Sequence, residues 1–315
     1  MSGAPHFDAP DEAGVTGRPG RFAVGVIGTG RVGAVLGAAL ARAGHRVVAA
    51  SAVSDRSRRR AAELLPDTPL LSPPEVAQQA ELLVLAVPDD VLPELVVGLA
   101  DAGLFRPGQT VVHPSGRHGI GVLEAARIRG VLPLALHPVM SFTGTDVDLA
   151  RLTGCSFGVT APEAFRPMAE ALVVEMGGEP EWIDEGHRPL YHAALAFSAN
   201  YLTTLVAQSA ELLARAGVSE PGRMLGPLLG ATLDNSLRSG DAALTGPVAR
   251  GDAGTVAAHL SQLSKLAQVS SNTDPLVNAY LALARLTADR ALEAGLLAPE
   301  HAGELLDVLN EDGGR

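Results

Sequence analysis

A chain of 315 residues is long enough for two domains, and 47% hydrophobic residues supply the cores they need. A formal net charge of -11 argues against the basic face that a nucleic acid or an anionic membrane requires, and 3% aromatic residues leave little for stacking bases. The single cysteine, Cys155, permits no internal disulfide, fits a reducing compartment and reads as a small buried apolar residue.

Residues 1–20, rich in Gly, Pro, Ala and acidic side chains, read as a disordered tail. Residues 22–27 form a short apolar run expected as a buried parallel strand. The chain then turns through Gly28-Thr29-Gly30-Arg31-Val32-Gly33, which fits the G-x-G-x-x-G pattern, and enters a small-residue helix. In such a unit the first glycine makes the turn and the second lets backbone approach a pyrophosphate. The third lets helix and strand pack closely, and the helix N-terminus favours an anion. A strand before the glycines and an amphipathic helix after them make this a dinucleotide-binding element rather than an ordinary turn.

Further strands are expected over residues 46–52, 81–88, 110–113, 131–137, 156–160 and 181–183. Helices are expected over 57–65, 74–79, 89–102, 121–129 and 162–176. This alternation predicts an α/β, doubly wound parallel sheet, a Rossmann domain spanning residues 21–185. From Gly186 the texture becomes helical throughout. Apolar residues recur at helical spacing over 191–216, about seven turns, and again over 221–238, 252–268, 275–294 and 299–309. An all-α domain over residues 186–311 follows. No apolar run reaches the roughly 18 residues that span a bilayer. The N-terminus lacks a basic stretch followed by an apolar core, so a cytoplasmic protein without membrane attachment is expected.

Cofactor choice rests on the end of the second strand, Ser51-Ala-Val-Ser-Asp-Arg-Ser-Arg-Arg-Arg60. An acidic residue there grips the ribose 2′-hydroxyl of NAD. Here Ser51 and Ser54 are neutral, and Arg56, Arg58, Arg59 and Arg60 offer forked donors to a 2′-phosphate. NADP is therefore preferred to NAD, with Asp55 as the dissenting residue and a solvated helix face as the plainer reading of the arginines.

Ligands bind outside the carboxyl ends of parallel strands. Val87 and Pro88 follow one strand, beside the expected nicotinamide half, and Asp89 or Asp90 reads as a cap for the next helix. His113 and Ser115 follow another strand, and His137 follows the next. Each histidine precedes a proline, and both rings would face one crevice. In the helical domain, His192 and Asn200 lie roughly 80° apart on one helix, near enough to look into one cleft. Thr245 and Arg250 stand in a polar loop, where Arg250 either holds a substrate carboxylate or pairs with Asp252. His113, His118 and His137 lack compact ligand spacing, so no metal is expected.

Assembled, these motifs resemble a bacterial family of Rossmann-like proteins with a C-terminal helical domain of unknown function, family 2520. The resemblance covers about residues 21–310 and rests on several segments. They are Val26-Ile-Gly-Thr-Gly-Arg-Val-Gly33, Leu85-Ala-Val-Pro-Asp-Asp90, His113-Pro-Ser-Gly116, Leu136-His-Pro138, Tyr191-His-Ala-Ala194, Ser198-Ala-Asn-Tyr201, Ala231-Thr-Leu-Asp-Asn235 and Leu244-Thr-Gly-Pro-Val-Ala-Arg-Gly-Asp252. More distantly the chain is similar to 6-phosphogluconate dehydrogenase-like enzymes, among them β-hydroxyacid dehydrogenases, pyrroline-carboxylate reductase and ketopantoate reductase. That resemblance implies a homodimer paired through the helical domain. β-Hydroxyacid dehydrogenases carry a Lys-x-x-x-Asn pair on the first helix of that domain. Here Ala196 stands four residues before Asn200, so the lysine is absent and His192 or His137 could replace it as proton donor. The expected function is an NADP-dependent oxidoreductase acting on a small carboxylate-bearing carbonyl compound, with a ketopantoate-like 2-oxo acid as one candidate. The alternative is a non-catalytic NADP-binding sensor.

Overall fold

The computed structural model describes residues 21–269 and 274–311. The expected tail of residues 1–20 lies outside them. The chain divides into two compact units between Ser198 and Ala199.

In the first unit the strands are β1 (Ala23–Ile27), β2 (Arg46–Ser51), β3 (Leu82–Leu85), β4 (Thr110–His113), β5 (Leu132–Pro138), β6 (Ser156–Thr160) and β7 (Glu179–Trp182). The helices between them are α1 (Arg31–Arg42), α2 (Asp55–Leu64), α3 (Pro73–Gln79), α4 (Leu92–Asp101), α5 (Glu124–Arg127), α6 (Val147–Arg151) and α7 (Arg166–Glu175). The strands form one sheet in the order β2-β1-β3-β4-β5-β6-β7. After β2 the chain crosses β1 to place β3 on its other side, so the topological switch point lies between β1 and β3, beside the glycine turn.

Alternate residues of the central strands feed two cores, as a doubly wound sheet demands. Val24, Val26, Leu82, Val84 and Leu136 join one cluster with α1 and α7 residues such as Leu36 and Leu172. Ile27, Leu83, Leu85 and Val111 join the other with Val76 of α3 and Val96 of α4.

The sheet departs from the parallel expectation at one place. β5 and β6 pair antiparallel, with His137 opposite Gly158. The connection from β5 to β6 carries the five-residue α6 and returns the chain alongside β5 without a crossover. Two expected helices also begin differently. The segment after β4 opens with a 3-10 turn at Ile120–Leu123 before the four-residue α5. α4 starts at Leu92 with Pro93 in its first turn and Val91 before it, so neither Asp89 nor Asp90 caps it.

Helix α8 (Arg188–Arg215) spans the division between the units. The second unit continues with α9 (Pro221–Ser239), α10 (Ala253–Val269), α11 (Asp274–Glu293) and α12 (Pro299–Glu311). Its core is formed by α10, α11 and α12 through residues such as Val256, Leu260, Leu281, Ala288, Leu305 and Leu309. No helix among the described residues is long and apolar enough to cross a membrane.

Candidate active site

The first part of the site is the turn from β1 into α1. Gly28 has φ +95°, a conformation that side chains resist, and a Cβ there would meet the Ala86 carbonyl oxygen and Val87. A Cβ at Gly33 would collide with the Gly28 carbonyl and Ala86, so this glycine lets α1 pack on the strand end. Gly30 differs from both. Its backbone is extended (φ -69°), and a Cβ there would have nothing within 4 Å. The chain thus needs Gly28 and Gly33 for its own packing, whereas the bare backbone at Gly30 faces open space. No side chain caps the first turn of α1, so its N–H groups are left for an anion.

Neighbouring polar groups hold this turn. The buried Thr29 hydroxyl donates to the carbonyls of Ser51 and Ser57. The Gly28 N–H donates to the Ser51 hydroxyl, and Ser54 caps α2 in a reciprocal pair with Ser57. Ser51 and Ser54, expected beside the ribose, therefore spend hydrogen bonds on the scaffold. Asp55 pairs with Arg58 at 2.9 Å, leaving Arg56 exposed on the first turn of α2. Arg31 and Arg60 converge on the loop after β5: a Cβ at Gly144 would lie 2.5 Å from Arg60 Nε and 2.9 Å from Arg31 Cγ. That loop is fastened by the buried Asp148, which accepts the N–H groups of Thr143 and Gly144 at 2.8 and 2.7 Å. Arg31 and Arg60 thus meet the loop after β5 at Gly144, a position the sequence did not single out.

The second part lies at the carboxyl ends of β4 and β5. His113 is fully buried. Its Nε2 donates to the Gly119 carbonyl at 2.9 Å and its Nδ1 accepts the Ser115 N–H at 3.2 Å, so a neutral ring organises the 113–119 loop. Burial pushes its pKa down to about 4. The Ser115 hydroxyl accepts the His118 N–H, and His118 Nε2 donates to the Asp89 carbonyl, tying this loop to the one after β3.

His137 lies on the same face of the sheet, two residues past Ala135, the register partner of His113. Its Nδ1 lies 2.7 Å from the Tyr191 hydroxyl, and its Nε2 and the ring of His192 close on Gly116. A Cβ at Gly116 would come within 2.9 Å of His137 Nε2 and of His192 Cδ2, so only glycine lets both rings approach the loop. Among the described residues, Arg285 Nε is the one buried side-chain nitrogen or oxygen without a partner. His137 Nε2, which has no hydrogen-bond partner, therefore reaches solvent. Burial, with the nearby Arg188 charge second, holds the His137 pKa down at about 4.

Arg188, the first residue of α8, explains why these groups meet. It is 1% exposed, yet its guanidinium donates to Thr160 Oγ1 and to the carbonyls of Ser115, Ala135 and Gly158. It thereby staples β5, β6, the loop after β4 and the start of α8. Its partners are all neutral, and it lies 5.7 Å from the Tyr191 ring centroid. Opposite His137 on β6, a side chain at Gly158 would overlap the Tyr191 hydroxyl, so this glycine admits the phenol. Arg188 and Tyr191 carried no signal of chemistry in the sequence: one begins a helix and the other reads as part of its apolar face.

The remaining candidates belong to the second unit. Asn200 is exposed on α8, and Thr245 and Arg250 are exposed in the loop before α10. Arg250 makes no ion pair with Asp252 among the described residues. Asp252 instead caps α10 by accepting the N–H and hydroxyl of Thr255. No group of three or more His, Cys, Asp or Glu side chains suited to a metal ion occurs among the described residues.

Comparison with known proteins matches residues 7–138 to a Rossmann-like domain and residues 155–287 to a domain of unknown function, DUF2520. The fold is similar to that of a Bacteroides fragilis protein provisionally designated an NADP oxidoreductase. The two share 22% identity over 85% of this chain and 98% of that one, with a TM-score of 0.69. It is also similar to an imine reductase from a Pseudomonas species (20% identity, 92% of this chain and 99% of that one, TM-score 0.61). A third similar structure is a Plasmodium falciparum pyrroline carboxylate reductase with NADP bound (13% identity, 86% and 98%, TM-score 0.52). At these identities the likeness is one of fold. No curated protein matches the chain.

Proposed function

For this chain, which joins a Rossmann-like domain to the DUF2520 domain, we propose the function of an NADP-dependent oxidoreductase that reduces a small carbonyl compound bearing a carboxylate. The observation that carries this reading is the open backbone face at Gly30, at an uncapped helix N-terminus, with Arg31 and Arg60 meeting at Gly144 and Arg56 exposed on the first turn of α2. These residues fit a dinucleotide with a 2′-phosphate: amides for the pyrophosphate, guanidinium forks for the extra phosphate. The NADP named for two of the structural neighbours supports the same choice.

When bound, NADPH supplies a hydride to the substrate carbonyl carbon. His137 and His192, gathered at Gly116, orient the oxygen and protonate it as it gains charge. The buried Arg188 cation, with only neutral hydrogen-bond partners, favours a group that becomes negative. A protonated imine would add a second cation beside it, so a carbonyl substrate is preferred. On chemistry alone, Asn200 is proposed to orient the substrate, and Thr245 with Arg250 to hold its carboxylate, as a ketopantoate-like 2-oxo acid requires.

We propose further that the protein works as a homodimer through its helical unit. α8 contains only one fully covered residue, Arg188, and α9 only Leu225. Leu228, Leu233 and Leu237 of α9 are 61%, 52% and 80% exposed, more apolar surface than a lone helix carries comfortably in water.

The test is NADPH oxidation with a panel of 2-oxo acids, ketopantoate first. His137→Gln is expected to lower kcat by about 10²-fold, the usual weight of a positioned acid. Full turnover in the His137→Gln, His192→Gln double variant would remove both histidines from the mechanism.

A further inference from the structure

A neutral imidazole holds one proton on two nitrogens, and the surroundings of His137 decide where it sits. Burial raises the Tyr191 phenol pKa, so the hydroxyl keeps its proton. The hydroxyl lies 2.7 Å from His137 Nδ1, and its proton is directed there. This leaves the imidazole proton on Nε2, the nitrogen open beside Gly116 and His192.

We propose that Tyr191 and His137 form a proton relay that ends at the substrate oxygen. As the carbonyl oxygen gains charge, the Nε2–H bond breaks and the substrate O–H bond forms. In the same passage the Tyr191 O–H bond breaks and an Nδ1–H bond forms. His137 leaves as the other neutral tautomer, and the negative charge rests on the Tyr191 phenolate beside Arg188. The Nδ1–H proton then returns to the phenolate while solvent delivers a proton to Nε2, which restores the starting tautomer; the His137 ring and the Tyr191 phenol are half-buried rather than sealed. The charged groups facing the pair are Arg188 and, when protonated, His192 from α8, with Asp89 from the loop after β3. Passage through two neutral tautomers also answers an energetic difficulty. With a pKa near 4, His137 is almost never an imidazolium at neutral pH, so it is a poor acid on its own. Tyr191 is the missing proton source, and Arg188 positions it and steadies its anion.

The relay rests on the reductase reading above, and its test has an arm that does not. ¹⁵N-histidine NMR of the full-length protein without cofactor, with His137 identified by its absence in His137→Gln, reads the tautomer directly. Between pH 5.5 and 8 the Nε2-protonated form is expected, and Tyr191→Phe should erase that preference. An Nδ1-protonated His137 in the wild type would overturn the proposal. In turnover of ketopantoate with NADPH, Tyr191→Phe is expected to lower kcat about 10²-fold with KM within a few-fold. The variant should also reduce the solvent deuterium effect from two transferred protons to one. Undiminished kcat, or an unchanged proton inventory, would refute the relay even where NADPH binds normally. A protein that binds NADPH but reduces no carbonyl would instead defeat the reductase reading, with the tautomer still open to measurement.

Discussion

His113 and His137 look alike in the sequence, each a histidine before a proline at a strand end, yet their surroundings give them different work. His113 spends both nitrogens on loop backbone, whereas His137 keeps Nε2 open. The buried His113 also makes stability depend on pH in a defined direction. Its folded pKa of about 4 lies below the ordinary 6.5, so its contribution is complete above pH 6.5 and is lost as pH falls from there toward 4. The full effect is on the order of 3 kcal/mol. Urea midpoints across that window should fall less steeply for His113→Gln than for the wild type, and equal slopes would count against it. The sequence could not separate the two histidines, because the distinguishing partners, Gly119 on one side and Tyr191 on the other, are set by a loop and by a helix 54 residues away. Arg188 was hidden for the same reason. Its burial depends on β5 and β6 running antiparallel, which local patterning does not reveal. Arg188→Met is expected to cost roughly 3 kcal/mol or more by leaving the Ala135 and Gly158 carbonyls unpaired in a buried place. Thermal unfolding measures it, and a stability equal to the wild type would contradict the staple.

At the scale of elements, the βα unit from β1 into α1 was legible because each of its signals is local: a short apolar run, three glycines and a small-residue helix. The glycines nevertheless do different jobs. Gly28→Ala meets both an unfavourable φ and the Ala86 carbonyl, so it should destabilise the fold. Gly30→Ala has an allowed backbone and open space, so it should leave stability unchanged. Paired thermal melts test this contrast, and equal losses in the two variants would overturn it. The loop after β5 was less legible. Its order comes from Asp148 reaching back to the N–H groups of Thr143 and Gly144, and its place over Arg31 and Arg60 is a product of tertiary packing. The helices of the second unit were readable from periodicity, but which of them share a core was not: α10, α11 and α12 do.

At the scale of the molecule, the exposed leucines of α9 predict association. Light scattering should give a mass about twice the 32.3 kDa of the chain, and Leu228→Glu with Leu237→Glu should shift it toward one chain. A wild-type mass of a single chain would end the dimer proposal. The central claim, that the glycine turn and its arginines hold NADP, is tested most directly by fluorescence titration of the purified protein with NADPH and with NADH, repeated with Gly30→Asp. The account predicts tighter binding of NADPH than of NADH, and loss of that binding in a variant whose melting temperature is unchanged, because a carboxylate then occupies the space kept for the pyrophosphate. Failure of the wild type to bind either nucleotide, or undiminished binding in Gly30→Asp, would contradict it.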